Sequence, residues 1–262
     1  MKSSRRKVSN HAVTRCIAEA LEARQMLSVD VLTWHNDQAR TGLNSSEVTL
    51  TSANVNTSNF GKIFSYHVAG QVYSQPLYVS NLAIPGKGTH NVIIVATQHN
   101  DVYAFDADSN AGATGGVLWH VNLGLSAATP NSYFGNRYGP YHDINPQVGI
   151  TSTPVIDRAT GTIYLDAFTN DIAGQNAYSH HIHALDLTTG ADKMVPKLAA
   201  AQVKGNGVGG NGTTVTFSAS QELQRPALSL LNGVLYVSYG GFADTDPYHG
   251  WILGFDPASL NL

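Results

Sequence analysis

From about residue 71 onward, apolar and polar positions alternate in short runs, each bounded by Gly, Pro, Asn or Asp. Val, Ile, Tyr and Phe dominate the runs, which predicts strands joined by turns rather than long amphipathic helices. A first set of runs covers residues 73–79, 91–97, 101–108 and 117–123. The set returns at 151–157, 161–167 and 181–190, with a weaker fourth run at 192–198. A third set occupies 224–230, 234–238 and 251–259.

Two landmarks hold the sets in phase. Pro76, Pro154 and Pro226 recur 78 and 72 residues apart, and Asp106, Asp186 and Asp256 recur 80 and 70 apart. Between runs, Asn232-Gly233 and the stretches 157–161 and 186–190 carry turn chemistry, an Asp side chain capping the turn and a Gly accepting positive φ. Four antiparallel strands per unit, repeated, predict an all-β chain forming part of a β-propeller of four-stranded blades. The units run at about 71–124, 149–200 and 222–262 of a folded part spanning 29–262. Three blades are too few to close a ring that needs roughly 4–8, so a fragment of a longer array is expected. Residues 62–68 read as a fourth strand whose blade mates are missing.

Composition sharpens this picture. The 262 residues are 42% hydrophobic and only 13% charged. Six of the Lys and Arg residues lie in residues 1–28 with Glu19 and Glu22; the body keeps nine basic and sixteen acidic side chains, a net of −7. An acidic body repels phosphate backbones, which argues against nucleic acid as a partner. No run of 18 apolar residues is present to span a membrane as a helix. The single cysteine, Cys16, lies in the leader, so the body can form no disulfide and no Cys-ligated zinc site.

Residues 1–28 combine a basic start with an apolar stretch broken by Arg15, Glu19, Glu22 and Arg24. That is a poor signal-peptide core, and helical spacing of Val13, Ile17, Ala20 and Leu21 suits a short amphipathic helix equally well. The stretch from Leu21 to Ser28 resembles the LEPR-XLL motif at the N-terminus of large bacterial surface and secreted proteins, with Ala23 where that motif has Pro. The resemblance implies export to the periplasm, cell surface or medium.

The phrase Val102-Tyr103-Ala104-Phe105-Asp106-Ala107, with Leu118-Trp119 after an insertion, resembles the PQQ-like repeat of quinoprotein-type propellers. The stretch from Ile182 to Gly190 is similar to the same phrase, and Trp34 to Gly42 is similar to the family's entry segment. The likeness spans about residues 31–262 and implies the propeller fold; an activity does not follow, since function resides in sites placed on a fold.

Candidate chemistry gathers in the longer connections: 124–149, 170–180, 201–223 and 242–250. These lie on one predicted face of the blades, where recognition tends to sit. His99, Asp101, Arg137, His142, Asp143, Asp171, His180, His181, Tyr248 and His249 form the expected ligand-binding set. His142-Asp143, His180-His181 and His249 could line a ligand or metal funnel; the plainer alternative is that these side chains cap turns and face solvent. Trp119 and Trp251 are expected to pack between blades, and His183 to be half-buried structure. The glycine run 205–212 lacks the Lys and helix of a phosphate cradle and reads as a flexible loop. No G-x-S-x-G elbow and no EF-hand-like loop occurs.

The expected function is an exported binding or scaffold module holding a carbohydrate or protein partner, with no recognisable catalytic site and no cofactor. A PQQ-dependent dehydrogenase, which the resemblance allows, would need the quinone and calcium, yet Glu47 and Glu222 are the only glutamates of the body. A hydrolase using carboxylates from distant loops is the remaining alternative.

Overall fold

The Val-, Ile-, Tyr- and Phe-rich runs form strands because each presents an apolar face to a neighbouring sheet. The computed structural model describes residues 29–134, 139–244, 246–247 and 249–262; the leader, Arg137 and Tyr248 lie outside the described residues. The chain is all-β and antiparallel, with a single short 3-10 turn at Phe242–Asp244 among the described residues.

The first sheet is a meander of β1 (Leu77–Ile84), β2 (Gly88–Ala96), β3 (Asp101–Asp106) and β4 (Val117–Asn122). A short hairpin of β5 (Ala127–Ala128) and β6 (Gln147–Val148) follows. The second sheet is a meander of β7 (Val155–Asp157), β8 (Thr162–Asn170), β9 (Tyr178–Asp186) and β10 (Lys197–Leu198). Another small hairpin joins β11 (Gln202–Lys204) to β12 (Thr214–Thr216). In the third sheet, β15 (Val234–Gly241) pairs with β16 (Trp251–Phe255). It also pairs with β14 (Ser229–Leu231) at its start and β13 (Glu222–Leu223) at its end.

The three sheets pack face to face in chain order. Ile163, Leu165 and Ala167 of β8 join Leu77, Val92, Ile94 and Trp119 of the first sheet in one core. The intervening Tyr164, with Ile182 and Ala184, joins Leu235, Val237, Leu253 and Phe255 of the third sheet in a second core. Sheet two is therefore covered on both faces, and residues 162–169 are buried without interruption. A strand covered on both sides has no solvent-facing side to fill with polar residues, which explains why Thr-Ile-Tyr-Leu-Asp-Ala-Phe-Thr shows little alternation.

The chain start ties the sheets together. Val31 exchanges two backbone hydrogen bonds with Tyr78 (2.8 and 3.0 Å), and the Leu32 carbonyl accepts from Ile156 N (2.8 Å). Further along, Gln38 and Arg40 donate to the carbonyls of Leu230 and Leu228 (2.9 and 3.1 Å). The segment before β7 links both neighbours as well: Gln75 N donates to Thr153 Oγ1 (2.9 Å) and Leu228 N to Thr153 O (3.1 Å).

The periodic aspartates anchor turns. Oδ1 of Asp106, Asp186 and Asp256 accepts from the backbone N–H two residues later, at 2.8, 2.9 and 2.8 Å. After Asp186 and Asp256 the turn closes on a left-handed residue, Gly190 (φ 76°) in one copy and Leu260 (φ 54°) in the other. Trp119 docks on this turn and donates through Nε1 to Leu187 O (3.1 Å). Its ring occupies the space beside Gly190.

Several expectations need correction. Residues 62–68 form no strand; Tyr66 instead stacks on Phe105 (4.2 Å between centroids) and donates to Asp106 O (2.6 Å). The fourth run of the second unit shrinks to β10 and a lone bridge at Asp192, and Pro196, without an N–H, interrupts the ladder there. The connection 124–149 is no open loop, because Phe134, Tyr141, Ile144 and Val148 pack with Phe168 and Phe242 in a third apolar cluster. The glycine run closes the β11–β12 hairpin in close contact with the 247–249 segment. A Cβ on Gly209 would come within 2.5 Å of Pro247, and one on Gly207 within 2.9 Å of the His249 ring.

Gly190 supplies the test of this packing. A Cβ there would sit 2.6 Å from Trp119 Cε3 on a backbone only glycine adopts freely. Gly190→Ala is expected to destabilise the chain by about 2–4 kcal/mol, from left-handed strain plus overpacking. Urea unfolding would read this as a lower midpoint at unchanged slope; an unchanged midpoint would show that the Trp119 dock is not as described.

Candidate functional site

β8 and β9 place most of the chemistry. Asp166, its cross-strand partner Ile182 and the diagonal neighbour His180 share the face toward the third sheet. His180 Nδ1 lies 2.7 Å from Asp166 Oδ1, and Tyr239 donates to Asp166 Oδ2 (2.8 Å). His180 Nε2 faces the Glu222 carbonyl oxygen at 2.8 Å, so that nitrogen donates. Asp166 and His180 are each 1% exposed. This network joins sheets two and three across a buried interface. Burial, then the adjacent Asp166, raises the Tyr239 hydroxyl well above its usual pKa and keeps it a donor. His180, expected beside a loop, is thus an interior strand residue whose two ring nitrogens are both engaged.

Its neighbour His181 points to the other face. Its Nε2 lies 3.0 Å from Asp171 Oδ1, and His183 Nδ1 lies 2.9 Å from Asp192 Oδ1. Burial works to raise the Asp171 pKa, but hydrogen bonds from Thr169, Ser179 and His181 outweigh it and hold the carboxyl below its ordinary value. Asp171, His181 and His183 line an open cavity of about 450 Å³ between sheets one and two, together with Leu123, Leu125, Thr169 and Pro196. His183 is 5% exposed, and its Nε2 has no hydrogen-bond partner.

Leu123 follows directly on a second cluster. Asp101, the first residue of β3 and 3% exposed, accepts from His99 Nδ1 (2.8 Å), His120 Nε2 (2.7 Å) and Asn122 Nδ2 (3.0 Å). Burial opposes ionisation, yet Asn122, His120 and His99 together lower the Asp101 pKa. His142 and Asp143 are exposed, away from both clusters, and burial of Tyr141, aided by Asp143, pushes that hydroxyl up to about 12. The expected set therefore divides: His181 with Asp171 and His99 with Asp101 are brought together, His180 is interior, and His142-Asp143 stands apart.

His249 lines a different cavity of about 420 Å³ with Val215, Phe217, Gln221, Glu222 and Pro247, and its Nε2 is held by Val208 O at 2.8 Å. Glu222 is 2% exposed, and its Oε2 has no partner. Burial is the main reason its pKa rises from 4.5 to about 7; the Trp251 indole, His249 and His180 offset this only in part. The indole N–H does so without reaching hydrogen-bond geometry and is itself buried and unpartnered. A third cavity, about 620 Å³, opens near the chain start between Trp34, Arg40, Arg225 and Pro226. Arg40 is already spent there on Thr33, Trp34 and Leu228.

Asp166, Tyr239, Glu222 and His120 were not among the expected residues. A carboxylate inside the apolar run Ile163-Tyr164-Leu165-Asp166-Ala167-Phe168 is a signal in itself, since a buried charge must be paired. Nothing local marks Glu222, whose environment comes from β15, β16 and the glycine hairpin.

Among the described residues no three His, Cys, Asp or Glu side chains converge as a metal site would require. No helix among them is long and apolar enough to cross a membrane. The fold and these clusters define an all-β protein of consecutive antiparallel sheets with side-chain-lined cavities between and beside them. No protein-family model matches the chain, and no curated protein is similar to it.

The Glu222 carboxyl gives a pH-dependent stability difference. Unfolded, it ionises near 4.5; folded, near 7. The native state holds the extra proton between those values, so this carboxyl's contribution to stability falls as pH rises from about 4.5 to about 7 and stays low above. The full loss is on the order of 3 kcal/mol. Glu222→Gln is expected to be more stable than the parent at pH 8 and nearly equal at pH 5. Urea midpoints at the two pH values measure this, and a difference that does not change with pH would refute the assignment.

Proposed function

We propose that the chain is a run of neighbouring blades from an exported β-propeller of the PQQ-like-repeat kind. It acts as a binding module whose ligand, a carbohydrate, lies in the cavity between sheets one and two. The observation carrying this reading is that cavity itself. Thr169, Asn170, Asp171, His181 and His183 present donors and acceptors beside the apolar surface of Leu123, Leu125 and Pro196. Ligand sites commonly combine mostly apolar walls with a few fixed polar groups. His181 and His183 are each oriented by a carboxylate, so little side-chain ordering remains to be done on binding.

Face-to-face sheets in chain order, their first strands linked through Thr153 and the 31–40 segment, support the propeller reading. So does the recurrence of the Asp-anchored turn in each sheet. The export reading rests on the likeness of residues 21–28 to the LEPR-XLL motif.

The quinone-dependent alternative finds little to build on in the glutamates of the body. Glu47 is spent on the N–H groups of Thr49 and Leu50, and Glu222 lies in an aromatic-walled cavity with no second carboxylate lining it.

An array of neutral and acidic oligosaccharides, followed by calorimetry on the full chain, tests the binding reading. Retention of a defined glycan class is expected, with at least a tenfold loss of affinity in Asp171→Asn and in His181→Ala. Absence of any retained glycan, or unchanged affinity in both variants, would overturn it.

A further inference from the structure

The cavity beside β13 is separate from the one assigned to carbohydrate, and its chemistry is different. Its polar wall contains Glu222, 2% exposed, with Oε2 unpartnered. Its apolar wall is Phe217, Val215 and Pro247, with Trp251 and Tyr239 packed edge-on behind Phe217 at 5.8 and 4.9 Å. Gly207 and Gly209 let the β11–β12 hairpin close on His249 and Pro247, giving the cavity a rim without side-chain bulk.

The titratable groups around Glu222 come from four elements: His180 on β9, Asp166 on β8, Tyr239 on β15, and His249 before β16. His180 is engaged by Asp166 and by the Glu222 backbone, and His249 Nε2 by Val208 O. These ring nitrogens are thus engaged elsewhere, and among the described residues no side chain forms an ion pair with the carboxyl. A desolvated carboxylate short of a cation, facing aromatic rings, is the arrangement that recognises an organic ammonium: the charge pairs with the carboxylate and the rings attract its field.

We propose that this cavity is a binding site for a small organic ammonium ligand, with the Glu222 carboxylate as its counter-ion and Phe217 as its aromatic wall.

Ammonium binding requires the ionised carboxyl, and burial holds Glu222 protonated until about pH 7. Affinity therefore rises with pH and levels off above the titration. The site would hold its ligand in neutral or alkaline surroundings and release it on acidification.

Titration of the full chain with benzylammonium chloride, followed by calorimetry and tryptophan fluorescence, tests the proposal. Benzyl alcohol is the uncharged control. Benzylammonium is expected to bind roughly tenfold more weakly per pH unit below about 7 and with constant affinity from about 7.5 to 8.5, while benzyl alcohol binds at least tenfold more weakly at pH 8. Glu222→Gln should keep the fold, seen in an unchanged far-UV spectrum, and lose at least tenfold in ammonium affinity; Phe217→Leu should weaken it to a smaller degree. Equal binding of amine and alcohol, a pH-independent affinity, no binding at pH 8, or full affinity in folded Glu222→Gln would each overturn it. None of these outcomes depends on the carbohydrate reading, which concerns other residues.

Discussion

Everything in this fold follows from the burial of the second sheet on both faces. A sheet covered once can alternate apolar and polar residues, but β8 cannot, and all eight residues from Thr162 to Thr169 are buried. The odd positions, Ile163, Leu165 and Ala167, meet sheet one; the even positions Tyr164 and Asp166 meet sheet three. A one-residue register slip would exchange the two faces and drive Asp166 into the apolar core with sheet one, away from His180 and Tyr239. The buried network therefore fixes register as well as joining sheets. Breaking a buried pair by removing one member leaves an uncompensated charge, which typically costs about 3–5 kcal/mol, far more than the net worth of an intact pair.

The carboxylates show how position decides role. Asp101 and Asp166 are as buried as Glu222, yet Asp101 receives three side-chain donors and Asp166 receives His180 and Tyr239. Glu222 has no such set, and burial alone moves it toward the protonated form. Asp106, Asp186 and Asp256 stand at sheet corners, where their oxygens accept turn N–H groups. These satisfied acids serve architecture. Glu222, short of donors, borders a cavity, and an unsatisfied buried polar group is where a ligand has most to offer.

Much of the fold was legible in the sequence because its cause is local. Strand runs follow from β-branched and aromatic residues, and the turns from Asp and Gly at fixed offsets, so β2 to β4, β8 and β9 overlap the runs the pattern picks out, whereas β1 and β7 each begin four residues later than their runs and β1 continues to Ile84. Residues 62–68 misled because Phe64, Tyr66 and Val68 alternate like a strand, yet Tyr66 stacks on Phe105 and Phe64 packs edge-on against Tyr66 instead of joining a ladder. The site was legible in part. His181 and Asp171 stand ten residues apart across a β-turn connection and meet because β8 and β9 pair in register, which the strand pattern implies. His180 was misplaced because β9 starts at Tyr178, three residues earlier than the strand pattern suggests.

Glu222 was illegible for a different reason. Its surroundings are assembled from residues 166, 180, 217, 239, 249 and 251, whose spacing bears no relation to any local period. The glycine run illustrates the same limit from the other side. Composition alone describes 205–212 as a flexible connection, whereas its glycines are required by close approach: at Gly207 and Gly209 a methyl group would collide with His249 and Pro247. A glycine that gives a loop freedom and a glycine that lets two segments touch are identical in sequence. Only the opposing surface separates them, and here that surface is Pro247 and His249, which line the same cavity as Glu222.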